Sequence, residues 1–153
     1  MFVSKFHPKI FPFSKLPQHC QLAIVWWMVV NERIWVCSED IVAAKNSWND
    51  EKLLKLAVKN SLAFYNSKYG KECFGMASIP IKIFMNGISD VTGDSFEEYH
   101  SSFCMNHRVE DHPKRHRWPL IINPETGSIH DGYHRFHTYV NQGVNKVGCI
   151  WLV

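Results

Sequence analysis

The sequence has no CxxC pair, no apolar run longer than the nine residues Leu22 to Val30, no internal repeat, no low-complexity segment and no strong excess of one charge. Each absence excludes something. A nine-residue apolar run is far short of the roughly 20 residues a membrane-spanning helix needs. Met1 to Pro12 lacks the uninterrupted apolar core of a secretory signal, so a soluble, cytoplasmic chain with no membrane partner is expected. The five cysteines, Cys20, Cys37, Cys73, Cys104 and Cys149, are odd in number and widely scattered. That argues against a zinc ribbon or a redox pair and for buried free thiols in a reducing compartment. A formal net charge of +3 gives no whole-molecule field strong enough to imply nucleic acid.

What is present is a chain of 153 residues, 46% hydrophobic and 20% charged, long enough to bury its own core. Aromatics reach 14%, with six Trp and ten Phe. The first half reads as helical. Residues 1–16 have no clear period and form an irregular arm, packed down by Phe6, Phe11 and Phe13. Pro17 can open a helix at its first position. Leu22 to Val30 is apolar on every side and belongs in the core, as a helix in preference to a strand. Ile34 to Cys37 extends it, and Ser38-Glu39-Asp40 resembles another helix start. Asn49 to Tyr69 has the clearest helical period, with Ser47 or Asn49 as cap, Asp50 and Glu51 at its positive end and Gly70 as its stop. Its lysines, Lys52, Lys55 and Lys59, fit a solvated face.

The second half is mixed. Ile79 to Met85 partly alternates and reads as a strand, with Pro80 at its start, and residues 87–93 read as a loop. Ser95-Phe96-Glu97-Glu98 has capping-box spacing and predicts a helix to about Asn106. A strand over Trp118 to Asn123, a turn over Pro124 to Gly127, a return strand over Ser128 to His130, a helix from Tyr133 to Gln142 and a closing strand over Val147 to Leu152 complete the pattern. The fold class expected is α+β: a small mixed sheet with packed helices. Residues 1–75 would be a mainly helical N-terminal extension and residues 76–153 the second part of one compact unit.

Ser128 to His137 carries most of the chemistry. It reads as a strand, an Asp131-Gly132 turn and the first turn of a helix, an arrangement that often holds phosphate. The unbonded N–H groups of the first helical turn point at the ligand, and the helix dipole favours negative charge there. Gly132, Tyr133, His134 and Arg135 are the candidate phosphate contacts. Asp131 is a candidate for positioning a nucleophile or metal ion, although turn and N-cap duty would equally explain it. Glu97 and Glu98 are candidate general bases or Mg²⁺ ligands, with capping as the plainer role for Glu98; Glu110 and Asp111 are further acids. Arg117, with Arg108, Lys114 and Arg115, forms a basic run before the Trp118 strand that fits either a solvated loop or a grip on phosphates. His134 and His137 lie three apart on one helix, with His130 or His116 as a third ligand for zinc or iron, but no HExxH-type spacing occurs and no metal site is assigned.

The order of elements over about residues 76–153 resembles the ParB/sulfiredoxin superfamily. The residues that carry the resemblance are Ile79-Pro80-Ile81, Trp118-Pro119-Leu120-Ile121-Ile122, Asp131-Gly132-Tyr133-His134-Arg135, and Gly143 followed by a closing apolar strand. In that superfamily a Gly-x-(His/Arg)-Arg segment starts the helix that holds nucleotide phosphates, which implies such contacts for Gly132, His134 and Arg135. Its members include ATP-using sulfiredoxins, CTP-binding ParB proteins, a free-serine kinase and proteins described as nucleases. Sulfiredoxins carry a reactive cysteine immediately before the His-Arg pair. Here that position is Tyr133, so sulfinic-acid repair is not expected. ParB proteins continue into a helix-turn-helix; this sequence ends at Val153, so a plasmid-partition role is not expected either.

The resemblance and the corner together imply an ATP- or CTP-binding protein, with Mg²⁺, performing phosphoryl transfer or nucleotide hydrolysis. His134 and Arg135 would stabilise the charge that develops in transfer. Two other readings fit the same sequence: a nuclease or DNA- or RNA-binding protein using the basic run, and a non-enzymatic interaction or inhibitor module whose phosphate corner is idle and whose aromatic front grips a protein partner.

Overall fold

The computed structural model describes residues 1–30, 63, 66, 67, 70–107, 109 and 118–153. The expected helix over 49–69 with its caps and lysines, the expectations for Ile34–Cys37 and Ser38–Asp40, and the run holding Arg108, Glu110, Asp111, Lys114, Arg115 and Arg117 lie outside the described residues, as do His112 and His116. Among the described residues the fold is α+β. Five strands, β1 (Lys9–Pro12), β2 (Cys73–Pro80), β3 (Leu120–Ile122), β4 (Ile129–Asp131) and β5 (Lys146–Leu152), form one mixed sheet in the order β1-β2-β5-β3-β4. Four helices accompany them: α1 (Gln18–Val30), α2 (Ile81–Thr92), α3 (Phe96–His107) and α4 (Tyr133–Asn141). Contacts group the chain into two compact units, Met1–Lys9 with Met76–Trp151, and Ile10–Gly75 with Leu152–Val153. No helix among the described residues is long and apolar enough to cross a membrane.

In the second of these units the first residues are more regular than their sequence suggests. Phe13 is fully buried in a short 3-10 turn and meets Phe74 at 6.1 Å between ring centroids. Its amide donates to the Glu72 carbonyl at 2.8 Å. Pro17 immediately precedes α1 and does not occupy its first position, its carbonyl accepting from the amides of Cys20 at 3.0 Å and Gln21 at 3.1 Å. Ala23, Ile24, Val25, Trp26 and Trp27 are all buried, so these five consecutive residues leave no exposed apolar stripe to explain. Residues Ala23 to Met28 of α1 thus lie in the core, as an apolar stretch with no polar face requires.

In the first unit the N-terminal residues dock on the β3–β4 turn. A 3-10 turn over Phe2–Phe6 places the amides of Phe2 and Val3 against the carbonyls of Glu125 and Pro124, at 3.1 and 3.2 Å. The segment 79–92 corrects the sequence reading. The strand ends at Pro80 and Ile81–Thr92 is a helix, where the local pattern predicts a strand to Met85 and then a loop. Pro80 stops the ladder because it has no N–H to donate, and its φ of −56° leads into a helical turn. Ile81, Phe84, Met85 and Ile88 then fall at helical spacing, and all four join the core. A short window of alternation hides the longer period.

Helix α3 starts where the capping spacing places it, with the Glu98 amide donating to Ser95 Oγ at 3.3 Å. β3 pairs antiparallel with β4, Ile121 opposite Asp131, and parallel with β5, Leu120 opposite Cys149. The β3–β4 register shifts between Ile121 and Ile122. Helix α4 lays Phe136 and Tyr139 into the core beside Leu120, Ile122 and Trp151. Tyr133, at the start of the helix, stays 39% exposed, and Thr138 is buried.

Candidate functional site

The corner between β4 and α4 is built around Gly132. The strand delivers Asp131, and the chain turns through Gly132 at φ 103°, ψ 23° straight into the helix. The first helical bond follows at once, from the Phe136 amide to the Gly132 carbonyl at 2.7 Å. A side chain cannot replace the glycine hydrogen here. A Cβ would lie 2.8 Å from Arg135 Nη2, 3.0 Å from Leu120 Cδ2 and 3.1 Å from Arg135 Cζ. The N-cap residue of α4 is Gly132 itself, which has no side chain to cap the first turn.

Arg135 does not reach outward from that turn. It is only 6% exposed, folded back beneath Gly132. Nη2 donates to the Pro119 carbonyl at 3.0 Å and lies 3.5 Å from Asp131 Oδ2, while the guanidinium carbon sits 5.6 Å from the centre of the Trp118 ring. Nε is buried with no hydrogen-bond partner among the described residues. Tyr139 anchors the same segment, its hydroxyl donating to the Trp118 carbonyl at 2.6 Å. One face of α4 therefore clamps residues 118–119. Burial raises the Asp131 carboxyl above its ordinary range, an effect that the Arg135 charge and hydrogen bond only partly offset. Burial likewise lifts the Tyr139 hydroxyl to about 12, so it remains a donor at any physiological pH.

The contacts between α3 and α4 set the places of the other candidates. Phe96 meets Phe136, His100 meets His137 and Asn141, and His107 meets His134. The helices thus run antiparallel. Glu97 and Glu98 lie nine or ten residues before His107 (about 14 Å at a rise of about 1.5 Å per residue), so the structure does not bring them to the Gly132 corner. Both are exposed in the first turn of α3. Gly132, Asp131, Tyr133, His134 and Arg135 are together; Arg117 lies outside the described residues. Tyr133 and His134 border the corner beside Phe103, with ring centroids at 6.4 and 5.6 Å.

The same helix pair makes a second constellation. His137 is fully buried, its ring stacked on Phe103 at 3.9 Å and on His100 at 4.9 Å. Its Nδ1 is 2.6 Å from His100 Nδ1, and Nε2 has no hydrogen-bond partner among the described residues. Cys104 Sγ lies 3.7 Å from His100 Nδ1. Asn141 completes the group, with Oδ1 2.7 Å from His100 Nε2 and Nδ2 3.8 Å from Cys104 Sγ. Burial, then the neighbouring His100, His134 and His107, hold the His137 imidazole down to about 3, so it stays neutral.

This grouping differs from the His134–His137 spacing weighed in the sequence, where no metal site is assigned. The donor atom of His137 gathers with those of His100 and Cys104, and His130 is exposed on β4. Sequence reasoning misses His100 and Cys104. Their i, i+4 spacing is the available signal, and it is masked because His100 lies outside the denser run of histidines that follows.

Compared with protein-family models, curated proteins and solved structures, the chain gives no match.

Proposed function

We propose that the chain is a nucleotide-binding protein of the ParB/sulfiredoxin type, taking the phosphates of ATP or CTP, with Mg²⁺, at the start of α4, and that it performs phosphoryl transfer or nucleotide hydrolysis. The observation that carries this reading is the turn at Gly132. A left-handed glycine ends β4, α4 begins at the next residue, and the N-cap position is that glycine, which has no side chain to occupy the first turn. Amides in that setting attract anions, and the helix dipole adds to the attraction. The buried Arg135 supports the reading in a different way from the one its sequence position suggests. It fixes the turn from below through Pro119 and Asp131 and adds positive charge behind the amides. His134 and Tyr133 border the corner, and this reading assigns them to contact with phosphate or base. Asp131 is the carboxylate at hand to orient Mg²⁺ or a nucleophile.

The test is binding to the full chain. ATP or CTP with Mg²⁺ is expected to raise the melting temperature, since a ligand held only by the native state stabilises it. His134→Ala is expected to weaken binding about tenfold or more, the loss of one charge-assisted contact, with an unchanged circular dichroism spectrum. Asp131→Asn should retain binding and lose turnover. If neither nucleotide shifts the transition at millimolar concentration, or His134→Ala binds like the parent protein, phosphates are not held at this corner.

A further inference from the structure

We propose that His100, Cys104 and His137, backed by Asn141, form a binding site for one Zn²⁺-class cation between α3 and α4. The site is separate from the Gly132 corner and does not rest on the nucleotide reading. Two neutral imidazoles and a thiolate are the donor set that a borderline-soft, tetrahedral divalent ion prefers. Their placement agrees with such an ion. His100 and Cys104 are one turn apart on α3 and face the same way, and His137 meets them from α4, with the three donor atoms all within 4.8 Å of one another. A tetrahedral zinc ion spaces a nitrogen and a sulfur ligand by about 3.6 Å and two nitrogens by about 3.3 Å. The Cys104 Sγ–His100 Nδ1 separation is 3.7 Å, already at that value. The His100–His137 pair, at 2.6 Å, opens by roughly 0.7 Å as the ion replaces the hydrogen bond.

The surrounding hydrogen bonds prepare the ligands. Asn141 Nδ2 faces the Cys104 sulfur, which leaves its Oδ1 facing His100 Nε2. That carbonyl oxygen only accepts, so His100 carries its proton on Nε2 and presents a bare lone pair at Nδ1. In the metal-free chain His137 Nδ1 is then the donor to it. On metal binding that proton leaves Nδ1 and is carried on His137 Nε2, a buried atom with no hydrogen-bond partner among the described residues, so the tautomer change offsets part of the gain in binding. The Cys104 thiol gives its proton to solvent. The ion is held by two neutral imidazoles and one thiolate, with one proton released per ion and a fourth position left for water. His100 and Cys104 are both partly exposed, which gives the ion a way in.

The experiment uses the full chain stripped of metal with a chelator and titrated with Co²⁺, then displaced by Zn²⁺. One ion per chain, the intense visible bands of tetrahedral cobalt and a thiolate-to-cobalt charge-transfer band are expected. Cys104→Ser should abolish the charge-transfer band, His100→Gln should weaken binding more than about a hundredfold, and Asn141→Leu should weaken it about 10- to 100-fold as the loss of an outer-shell partner. A readout free of any folding defect in the variants is alkylation of the parent protein. Zn²⁺ should slow modification of Cys104 and leave the exposed Cys73 unprotected. Octahedral cobalt only, equal affinity in the Cys104 and His100 variants, or Cys104 alkylated at the same rate with and without Zn²⁺ would each overturn the assignment.

Discussion

Replacing Gly132 with alanine tests the geometry of the corner most directly. Two penalties act on the new side chain. The first is conformational: φ 103° lies where a residue with a Cβ is strained, at about 1–3 kcal/mol. The second is steric, because the methyl group would sit 2.8 Å from Arg135 Nη2 and 3.0 Å from Leu120 Cδ2. Arg135 cannot simply swing aside without giving up its bond to the Pro119 carbonyl, a buried interaction worth about 1.5–3 kcal/mol because the donor is charged. A total near 3 kcal/mol is expected, or a fall in melting temperature of roughly 6–12 °C for a chain of this size. Gly93→Ala separates the two penalties. Gly93 caps α2 at φ 73°, and a methyl group added there would meet nothing within 4 Å, so it should show the conformational penalty alone, about 1 kcal/mol. The assay is urea unfolding of both variants followed by circular dichroism. In the Arg135→Ala background the Gly132→Ala penalty should shrink by about 1 kcal/mol, since the obstructing group is gone. Equal costs at Gly132 and Gly93, or strict additivity with Arg135→Ala, would refute the claim that Arg135 packs beneath the turn.

Other expectations follow from the same contacts. Tyr139→Phe removes the donor to the buried Trp118 carbonyl and should destabilise by about 1–2 kcal/mol in urea unfolding; a neutral result would mean that water replaces the hydroxyl. The His137 imidazole, whose pKa burial and the nearby His100, His134 and His107 lower from 6.5 to about 3, makes stability depend on pH. The unfolded chain takes up a proton between those values that the native chain refuses, so this contribution is fully present above pH 6.5 and is lost as pH falls toward 3. In metal-free protein the loss should amount to about 2 kcal/mol between about pH 6 and about pH 4.5, at about 1.4 kcal/mol per pH unit. His137→Phe, which keeps the stack on Phe103, should flatten the profile; an unchanged slope in the variant would show that His137 is not the group responsible.

Much of the second half is legible in the sequence because its signals are local. The Ser95 cap, the turn at 124–127, the glycine between β4 and α4 and the closing apolar strand are each decided within a few residues. So is the buried character of α1, since an apolar run with no polar face has only the core to occupy. The strand-to-helix change at Pro80 is legible in principle, through Ile81, Phe84 and Ile88, but a short alternating stretch imitates a strand.

The amino-acid order alone marked where β4 breaks and α4 starts, because the glycine of the Asp131-Gly132 pair adopts without strain a positive-φ conformation that other residues resist. Packing decided the rest. Sequence places a residue on a helix face but does not say what that face meets. The inward turn of Arg135 toward Pro119, and the meeting of His100 and Cys104 with His137 some 37 residues after His100 in the chain, arise from the antiparallel contact of α3 with α4. Those contacts belong to the folded chain, in which burial and shape bring distant side chains together.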